Sequence, residues 1–514
     1  MVVCKKFNFG EGEEAPLAPT TVVREQTRVE APSSPARRFP KFITDVNEAY
    51  NVAKEVLREI GERESPDFGS MGGLKKLPSE VNGPWEMTKD AAKKTLRYIF
   101  NSIHHSCYML VIINNKRELI KLEPEGIPES HKEKIESVME TSSDPRWNRF
   151  KDKELRMMGC VLKTRRDESS YSTQYNEWIN KIDIPLPDGI FILNLTDAVI
   201  MRRDHKKPWA KVGAPVEFEQ KYLPILGGSG SEACWDIPIP NYDDIMIALG
   251  HQKLDTFETS WGKKQKKAVF RGGWTGCGTT ARTNMRIALA EMPPSADIDV
   301  KLVGKPSNNP RYDPERGWTF MESTAEPTEK RMSKAEQSRH KYIIHVDGNV
   351  AAYRLLEFMK MGSVIIKVQG GYRLWFEHLL EDKDSMVLVA PDVEHVKEAV
   401  EWCKKNDDRC KTIAERCKAL ADEMLNKEFM DETFARILWT LAGAEVTKSL
   451  SLKEPTPPPK EPTPPPAPVA KKALTIKEIL AMKAAAKAKG QGQAGGRRTR
   501  KYTFYRRRRI TRRR

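Results

Sequence analysis

Three stretches of the chain combine residue types that could hold or act on a charged substrate. Ile190-Phe191-Ile192-Leu193-Asn194-Leu195 is a nearly continuous apolar run that reads as a buried parallel strand and presents Asp197 at its carboxyl end. Lys267-Ala268-Val269-Phe270 is a second strand and runs into Arg271-Gly272-Gly273-Trp274-Thr275-Gly276-Cys277-Gly278. Glycines after a strand let the backbone approach a ligand closely, and Arg271 is a planar, permanently charged donor suited to phosphate. The third stretch is Tyr342 to Val346, a β-branched apolar run that breaks at Asp347-Gly348-Asn349. In an open α/β sheet, ligands lie outside the carboxyl ends of strands, so Asp347, Gly348 and Arg354 stand where a phosphorylated ligand would be held. Each stretch also has a plain structural reading, as a glycine turn beside a solvated arginine or as a strand-end carboxylate capping a loop. The Gly227-Gly228-Ser229-Gly230 loop lacks the Lys-Ser/Thr ending of a phosphate-binding P-loop.

These residues need a scaffold of alternating strands and helices. From Ala351 the pattern turns helical, with Leu355, Leu356 and Met359 on one face, and Gly362 closes that helix before the apolar run Ser363 to Val368. A helix is expected from about Ala281 through Met292, short strands at Tyr222 to Leu226 and Met386 to Ala390, and a helical turn at Trp375 to Leu380. Helices are expected at Val393 to Lys404, Arg409 to Met424 and Asp431 to Val446. Earlier in the chain, Asp45 to Arg63 and the stretch capped by Thr88 are helical, and Cys107 to Ile113 with Glu118 to Leu122 form a hairpin around Asn114-Asn115-Lys116. The class is α/β.

At 514 residues the chain can bury two or three cores. No run approaches the length of a membrane span, and the N-terminus lacks the apolar core and cleavage site of a secretory signal. Eight cysteines include no C-x-x-C pair, which argues against a zinc site or a dense disulfide framework; His104-His105 lacks further ligands at useful spacing. The net charge of +16 is localised: residues 471 to 514 carry seventeen Lys and Arg against Glu478 alone, so the rest of the chain is neutral. Tyr502, Phe504 and Tyr505 interleave those bases, a composition able to bind nucleic acid nonspecifically or to meet an anionic surface.

In order along the chain, Pro187-Asp188, Asn194-Leu195-Thr196-Asp197, Leu223-Pro224-Ile225, Asp236-Ile237-Pro238-Ile239-Pro240 and Phe270-Arg271-Gly272 continue into Thr275-Gly276-Cys277-Gly278. Lys341-Tyr342-Ile343-Ile344, Ala351-Ala352-Tyr353-Arg354-Leu355, Gly362-Ser363-Val364, Leu374-Trp375-Phe376 and Trp402-Cys403-Lys404-Lys405-Asn406-Asp407 complete the series. Together they resemble glycosyltransferase family 90, the protein O-glucosyltransferase and capsule-associated (CAP10-like) family, and within it the subgroup encoded by large DNA viruses. The resemblance implies a GT-B-like architecture of two Rossmann-like domains facing a cleft, and an inverting, metal-independent enzyme that takes a UDP-sugar, glucose or xylose, to a hydroxyl of a protein or glycan acceptor. It places the catalytic aspartate on Asp197 and the diphosphate-binding arginines on Arg271 and Arg354. Gly272, Thr275, Gly276, Asp347, Gly348, Ala351 and Ala352 would line the donor, and Trp235 and Asp236 the acceptor side. The chain departs from the family pattern at Thr196, Ala198, Val199 and Gly273.

The expected organisation is a disordered segment 1–40, an acceptor-side domain 41–262 and a nucleotide-sugar domain 263–446. A proline-rich linker 447–470 and a basic tail 471–514 with a short helix follow. No cofactor is expected, and the expected setting is cytoplasmic or virus-associated. The competing reading is an inactive transferase fold whose arginine-rich tail binds nucleic acid or a virion component.

Overall fold

A computed structural model describes residues 39–443, apart from 62–63, 69–75, 104, 125–128, 151–154, 159–160, 165–168, 204–219, 254–256 and 258. The expectations for nearly all of 1–40, for 447–470 and for 471–514 lie outside the described residues.

The first part of the chain runs β1 (Phe42–Ile43), α1 (Val46–Val56), α2 (Lys89–Arg97), β2 (Cys107–Ile113), β3 (Lys116–Leu122), α3 (Glu129–Thr141), β4 (Leu155–Met158), β5 (Val161–Thr164), α4 (Ser169–Asn180), β6 (Gly189–Asn194), β7 (Ile225–Gly227), β8 (Gly230–Ser231), β9 (Ile237–Pro238) and α5 (Tyr242–Ala248). Local chemistry sets these elements. Asp45 caps α1 by accepting from the amides of Asn47 and Glu48, both at 2.9 Å, and Thr88 caps α2 through the Ala91 amide. Asn114 and Asn115 both take positive φ, 52° and 59°, the conformation of a two-residue hairpin turn and one that asparagine tolerates, so β2 and β3 pair antiparallel. The sheet order is β1-β3-β2-β6-β7-β9. It is mixed rather than purely parallel, because β2 pairs antiparallel with both β3 and β6 while β6, β7 and β9 run parallel.

The second part runs β10 (Gln265–Gly272), α6 (Met285–Ala290), β11 (Ile298–Leu302), β12 (Arg311–Asp313), β13 (Gly317–Thr319), α7 (Lys334–Gln337), β14 (His340–His345), α8 (Leu355–Met359), β15 (Val364–Val368), β16 (Tyr372–Arg373), β17 (Val387–Val389), α9 (Val393–Lys405), α10 (Asp407–Met424) and α11 (Lys427–Leu441). Its main sheet has the order β11-β10-β14-β15-β17, every pair parallel. Two helices are shorter than the periodicity suggests. The stretch expected to open a helix at Ala281 instead wraps Asp313, whose Oδ2 accepts from Thr279 N (2.7 Å), Thr279 Oγ1 (2.8 Å) and Thr283 Oγ1 (2.7 Å), so α6 waits for its cap at Asn284. The stretch from Ala351 is held open by Asp347, whose Oδ1 accepts from Ala352 N, so α8 begins only at Leu355. Trp375 to Leu380 holds a single 3-10 turn, Glu377–Leu379.

Side chains alternate between the two faces of each strand. Leu110, Phe191 and Leu193 of the first sheet and Val269, Ile343 and Ile365 of the second share one continuous buried core, while Met109 and Ile192, and Phe270 and Ile344, face two outer cores. α11 closes the shared core from the far end of the chain. Trp178 donates to Asp431 (2.8 Å), Trp439 to the Pro185 carbonyl (2.9 Å), and Phe434 packs on Trp178 with ring centroids 4.9 Å apart. Among the described residues no helix is long and apolar enough to cross a membrane.

Phe434→Ala should therefore destabilise the whole body by about 3 to 5 kcal/mol in urea unfolding, the usual effect of hollowing a packed aromatic site. Phe42→Ala, at a ring 62% exposed, should stay within about 0.5 kcal/mol of the parent.

Candidate active site

β10 ends at Gly272 and β14 at His345, as neighbours in the second sheet. From β10 the chain proceeds to β11 on one side, and from β14 to β15 on the other. The strand order reverses between these two ends, and the crevice at such a point is where open parallel sheets take their ligands.

Arg286, on α6, spans that crevice. It donates from Nε to the Asp347 carbonyl (2.8 Å), from Nη2 to the Val346 carbonyl (2.9 Å), and from Nη1 to the Gly273 carbonyl (3.1 Å) and Thr275 Oγ1 (2.5 Å). Arg311, on β12, adds a second tie through Nη1, to the Gly276 carbonyl (3.1 Å) and to Asn349 Oδ1 (3.0 Å), which also accepts from Gly276 N (3.0 Å). Gly276 has φ 130°, and a side chain there would run into Asn284. A side chain on Gly348 would crowd Thr275 Oγ1 at 3.0 Å. Arg354 donates from Nη1 to the Arg271 carbonyl (2.9 Å) and lies over the Phe358 ring, 4.9 Å from its centroid. Burial, and then Arg354, push the Arg286 guanidinium down to about 9, and burial pushes that of Arg354 down to about 10. Positive charge held this far from water favours an anion in the crevice.

Asp347 lies behind these arginines, and its Oδ2 has no hydrogen-bond partner among the described residues. Burial pushes its carboxyl up to about 7, with Lys367 pulling the other way. Burial also works against the Lys367 ammonium, yet Glu377, at 2.9 Å, and Asp347 hold it above its ordinary range.

Asp197 sits on the loop after β6, and that loop is pinned from below. The Asp236 carboxylate accepts from Ile200 N (2.9 Å) and Met201 N (2.7 Å), Tyr98 donates to the Ile200 carbonyl (2.6 Å), and Asn194 donates to the Ala198 carbonyl. The His105 Nε2 lies 2.7 Å from Thr196 Oγ1 and 3.2 Å from Asn194 Oδ1. Asp197 itself is exposed, and its carbonyl accepts from Ser229 Oγ at 3.4 Å. Tyr353, the residue before Arg354, reaches the same place: its hydroxyl bonds to Ser229 and lies 2.6 Å from where a Cβ on Gly228 would be. The Asp197 loop of the first sheet and the Arg354 loop of the second thus meet over Gly228-Ser229.

Of the residues singled out from the sequence, the structure brings Gly272, Thr275, Gly276, Asp347, Gly348, Ala351, Ala352 and Arg354 together around the ends of β10 and β14, and the Asp197 loop meets them through Ser229 and Tyr353. The Arg271 guanidinium does not join them. It pairs with Asp299 Oδ2 (2.8 Å) and the Asp299 carbonyl (3.0 Å), because Asp299 lies on the adjacent β11. Asp236 is fully buried beneath the Asp197 loop rather than on the acceptor wall, and burial pushes it up to about 6. Trp235 is half-buried under the Arg203 guanidinium, 3.8 Å from its ring centroid.

The pattern described as Glycosyl transferase family 90 matches residues 179–448, just over half of the chain. The chain belongs to this family. Relatives of this family 90 chain include an uncharacterized protein of Invertebrate iridescent virus 3, 30% identical over 243 residues that make up 43% of this chain and 22% of that protein. Protein O-glucosyltransferase 2 of Danio rerio is 26% identical over 235 residues, 44% of this chain and 41% of that protein. The chain thus spans less than half the length of these relatives. Among solved structures, that of Anabaena Alr3699/HepE with UDP-glucose is 13% identical, covering 53% of this chain and 68% of that chain with a TM-score of 0.24.

Arg286 and Arg311 are site residues that the sequence left unmarked; Tyr353 stood only within the Ala351–Leu355 series, and His105 only as half of a pair without further metal ligands. For Arg286 the available signal was an arginine inside the otherwise apolar Met285-Arg286-Ile287-Ala288-Leu289-Ala290.

The raised Asp347 carboxyl has a consequence for this family 90 body. Its folded pKa, about 7, lies above the value of an unfolded aspartate, so the stability it contributes is complete below about pH 4 and is lost as pH rises through 7. Asp347→Asn should flatten that fall and gain on the order of 2 kcal/mol over the parent at pH 8, with the difference shrinking towards pH 4; urea unfolding at several pH values measures it.

Proposed function

We propose that the protein is an inverting glycosyltransferase that moves a sugar, glucose or xylose, from a UDP-sugar to a hydroxyl of a protein or glycan acceptor. It would work in a GT-B-type cleft between the two sheets and without a metal ion. The observation that carries this reading is the meeting of the loop that bears the exposed Asp197 with the loop that bears Arg354, over Gly228-Ser229. Family membership and the printed name of the Danio rerio relative support sugar transfer, and glucose as the first sugar to try.

In the proposed step Asp197 takes the proton of the acceptor hydroxyl as its oxygen forms a bond to C1 of the sugar. The bond between C1 and the diphosphate oxygen breaks on the opposite face, and its electron pair leaves with UDP. Arg354 would meet the charge that develops there, with Arg286 and Arg311 fixing the loop amides around it. Arg271 would reach the diphosphate only by leaving Asp299.

A second reading rests on the seventeen basic residues of 471–514: an inactive transferase fold carrying a polyanion-binding tail. A chain truncated after Val446 separates the two, since turnover of UDP-sugar survives the truncation under the first reading only.

Asp197→Asn should abolish transfer while UDP still raises the unfolding temperature, whereas Arg354→Ala should weaken UDP binding by on the order of 2 kcal/mol, roughly thirtyfold. A panel of UDP-sugars tested for turnover and thermal protection reads both; full activity of the asparagine variant removes Asp197 as the base.

A further inference from the structure

We infer that the acceptor is a carbohydrate, received by an aromatic platform and a second carboxylate beside Asp197; this rests on the transferase reading above. The platform is the pair Tyr171 and Tyr242, in the first turns of α4 and α5. Their rings meet nearly perpendicular, centroids 4.4 Å apart and planes at 79°, and Tyr171 is 37% exposed. The exposed part of the Tyr171 ring suits the C–H face of a pyranose.

The platform belongs to the same wall as Asp197. One helical turn beyond Tyr171, about 6 Å along the axis, the buried Tyr175 donates to the Pro240 carbonyl (3.0 Å) and fixes α4 against the start of α5. Asn241 caps α5, and its Cβ lies 3.3 Å from where a Cβ on Gly228 would be. Ser229, next in the chain, holds the Asp197 carbonyl. Asp243 follows Tyr242 and is half-buried; burial raises its carboxyl, and the charges of Glu357 and Asp197 push it the same way.

Two neighbouring carboxylates accept hydrogen bonds and donate none while ionised. A serine or threonine acceptor offers a single hydroxyl, which Asp197 would use, so that Asp243 could accept only from a peptide N–H. A pyranose offers several hydroxyls around one ring, so that one can be deprotonated by Asp197 while a neighbour donates to Asp243 and the ring face rests on Tyr171.

The test uses the full-length protein with UDP-glucose and UDP-xylose, and offers short oligosaccharides beside serine-containing peptides and a folded disulfide-rich module. Transfer to oligosaccharide is expected. Tyr171→Ala and Asp243→Asn should each raise the KM for oligosaccharide about tenfold. The KM for nucleotide sugar and its slow hydrolysis by water should be unchanged, and Tyr171→Phe should behave as the parent. Sugar landing on peptide or module with none on oligosaccharide overturns the inference, as does an oligosaccharide KM in Tyr171→Ala within twofold of the parent. Oligosaccharide binding followed by intrinsic fluorescence without nucleotide gives a separate readout. Tyr171-dependent binding in a protein that neither binds nor turns over UDP-sugar would sink the transferase reading and leave the carbohydrate platform standing; loss of both would sink both.

Discussion

The arrangement of the crevice depends on one buried guanidinium. Taking a cation out of water is costly unless its donors find partners, and Arg286 places its donors on three main-chain carbonyls and the Thr275 hydroxyl. Those acceptors come from the loop after β10 and the loop after β14, so its desolvation is compensated only when both loops hold this geometry. The glycines nearby follow from the same constraint. At Gly276 and Gly348 a side chain would occupy space taken by Asn284, Thr275 and Arg286 itself.

The first sheet answers with rigidity of a different kind. The loop bearing Asp197 is held by acceptors and donors buried beneath it: the Asp236 carboxylate on two amides, the Tyr98 hydroxyl, the Asn194 amide and the His105 ring. None of these need touch a substrate. Their effect is to fix where the exposed carboxylate stands before anything binds, which is how a catalytic group avoids losing orientation entropy at the reaction step. Tyr353 carries the alignment across, because it is bonded to Ser229 on one side and adjoins Arg354 on the other.

Much of this was legible from local sequence. Apolar runs ending in turn residues located β6, β10, β14 and β15, and Asn114-Asn115 located the hairpin, because strand burial and turn conformation are short-range properties. The starts of α6 and α8 were not legible, since each is delayed by a carboxylate, Asp313 or Asp347, that competes for the turn before it. The direction of the Arg271 side chain was hidden for a related reason: its partner, Asp299, is twenty-eight residues away and adjacent only through strand pairing. Asp236 was set on the acceptor side by the resemblance alone, and its burial becomes apparent only once β9 lies beside β7.

The three arginines of the crevice are not equivalent, and hydrogen-bond saturation separates them. Arg286 has four acceptors and Arg311 bridges a carbonyl and an amide oxygen, so both serve the backbone. Arg354, among the described residues, makes one hydrogen bond, to the Arg271 carbonyl, and keeps the rest of its planar fork over the Phe358 ring. A guanidinium so placed is fixed in position yet retains donors, the condition for bidentate capture of a phosphate. Arg286 adds charge beside it without offering further donors, since its Nε, Nη1 and Nη2 are all engaged. Arg354 thus keeps donors to offer beside a fully engaged Arg286, and it directly follows the tyrosine that reaches the Asp197 loop.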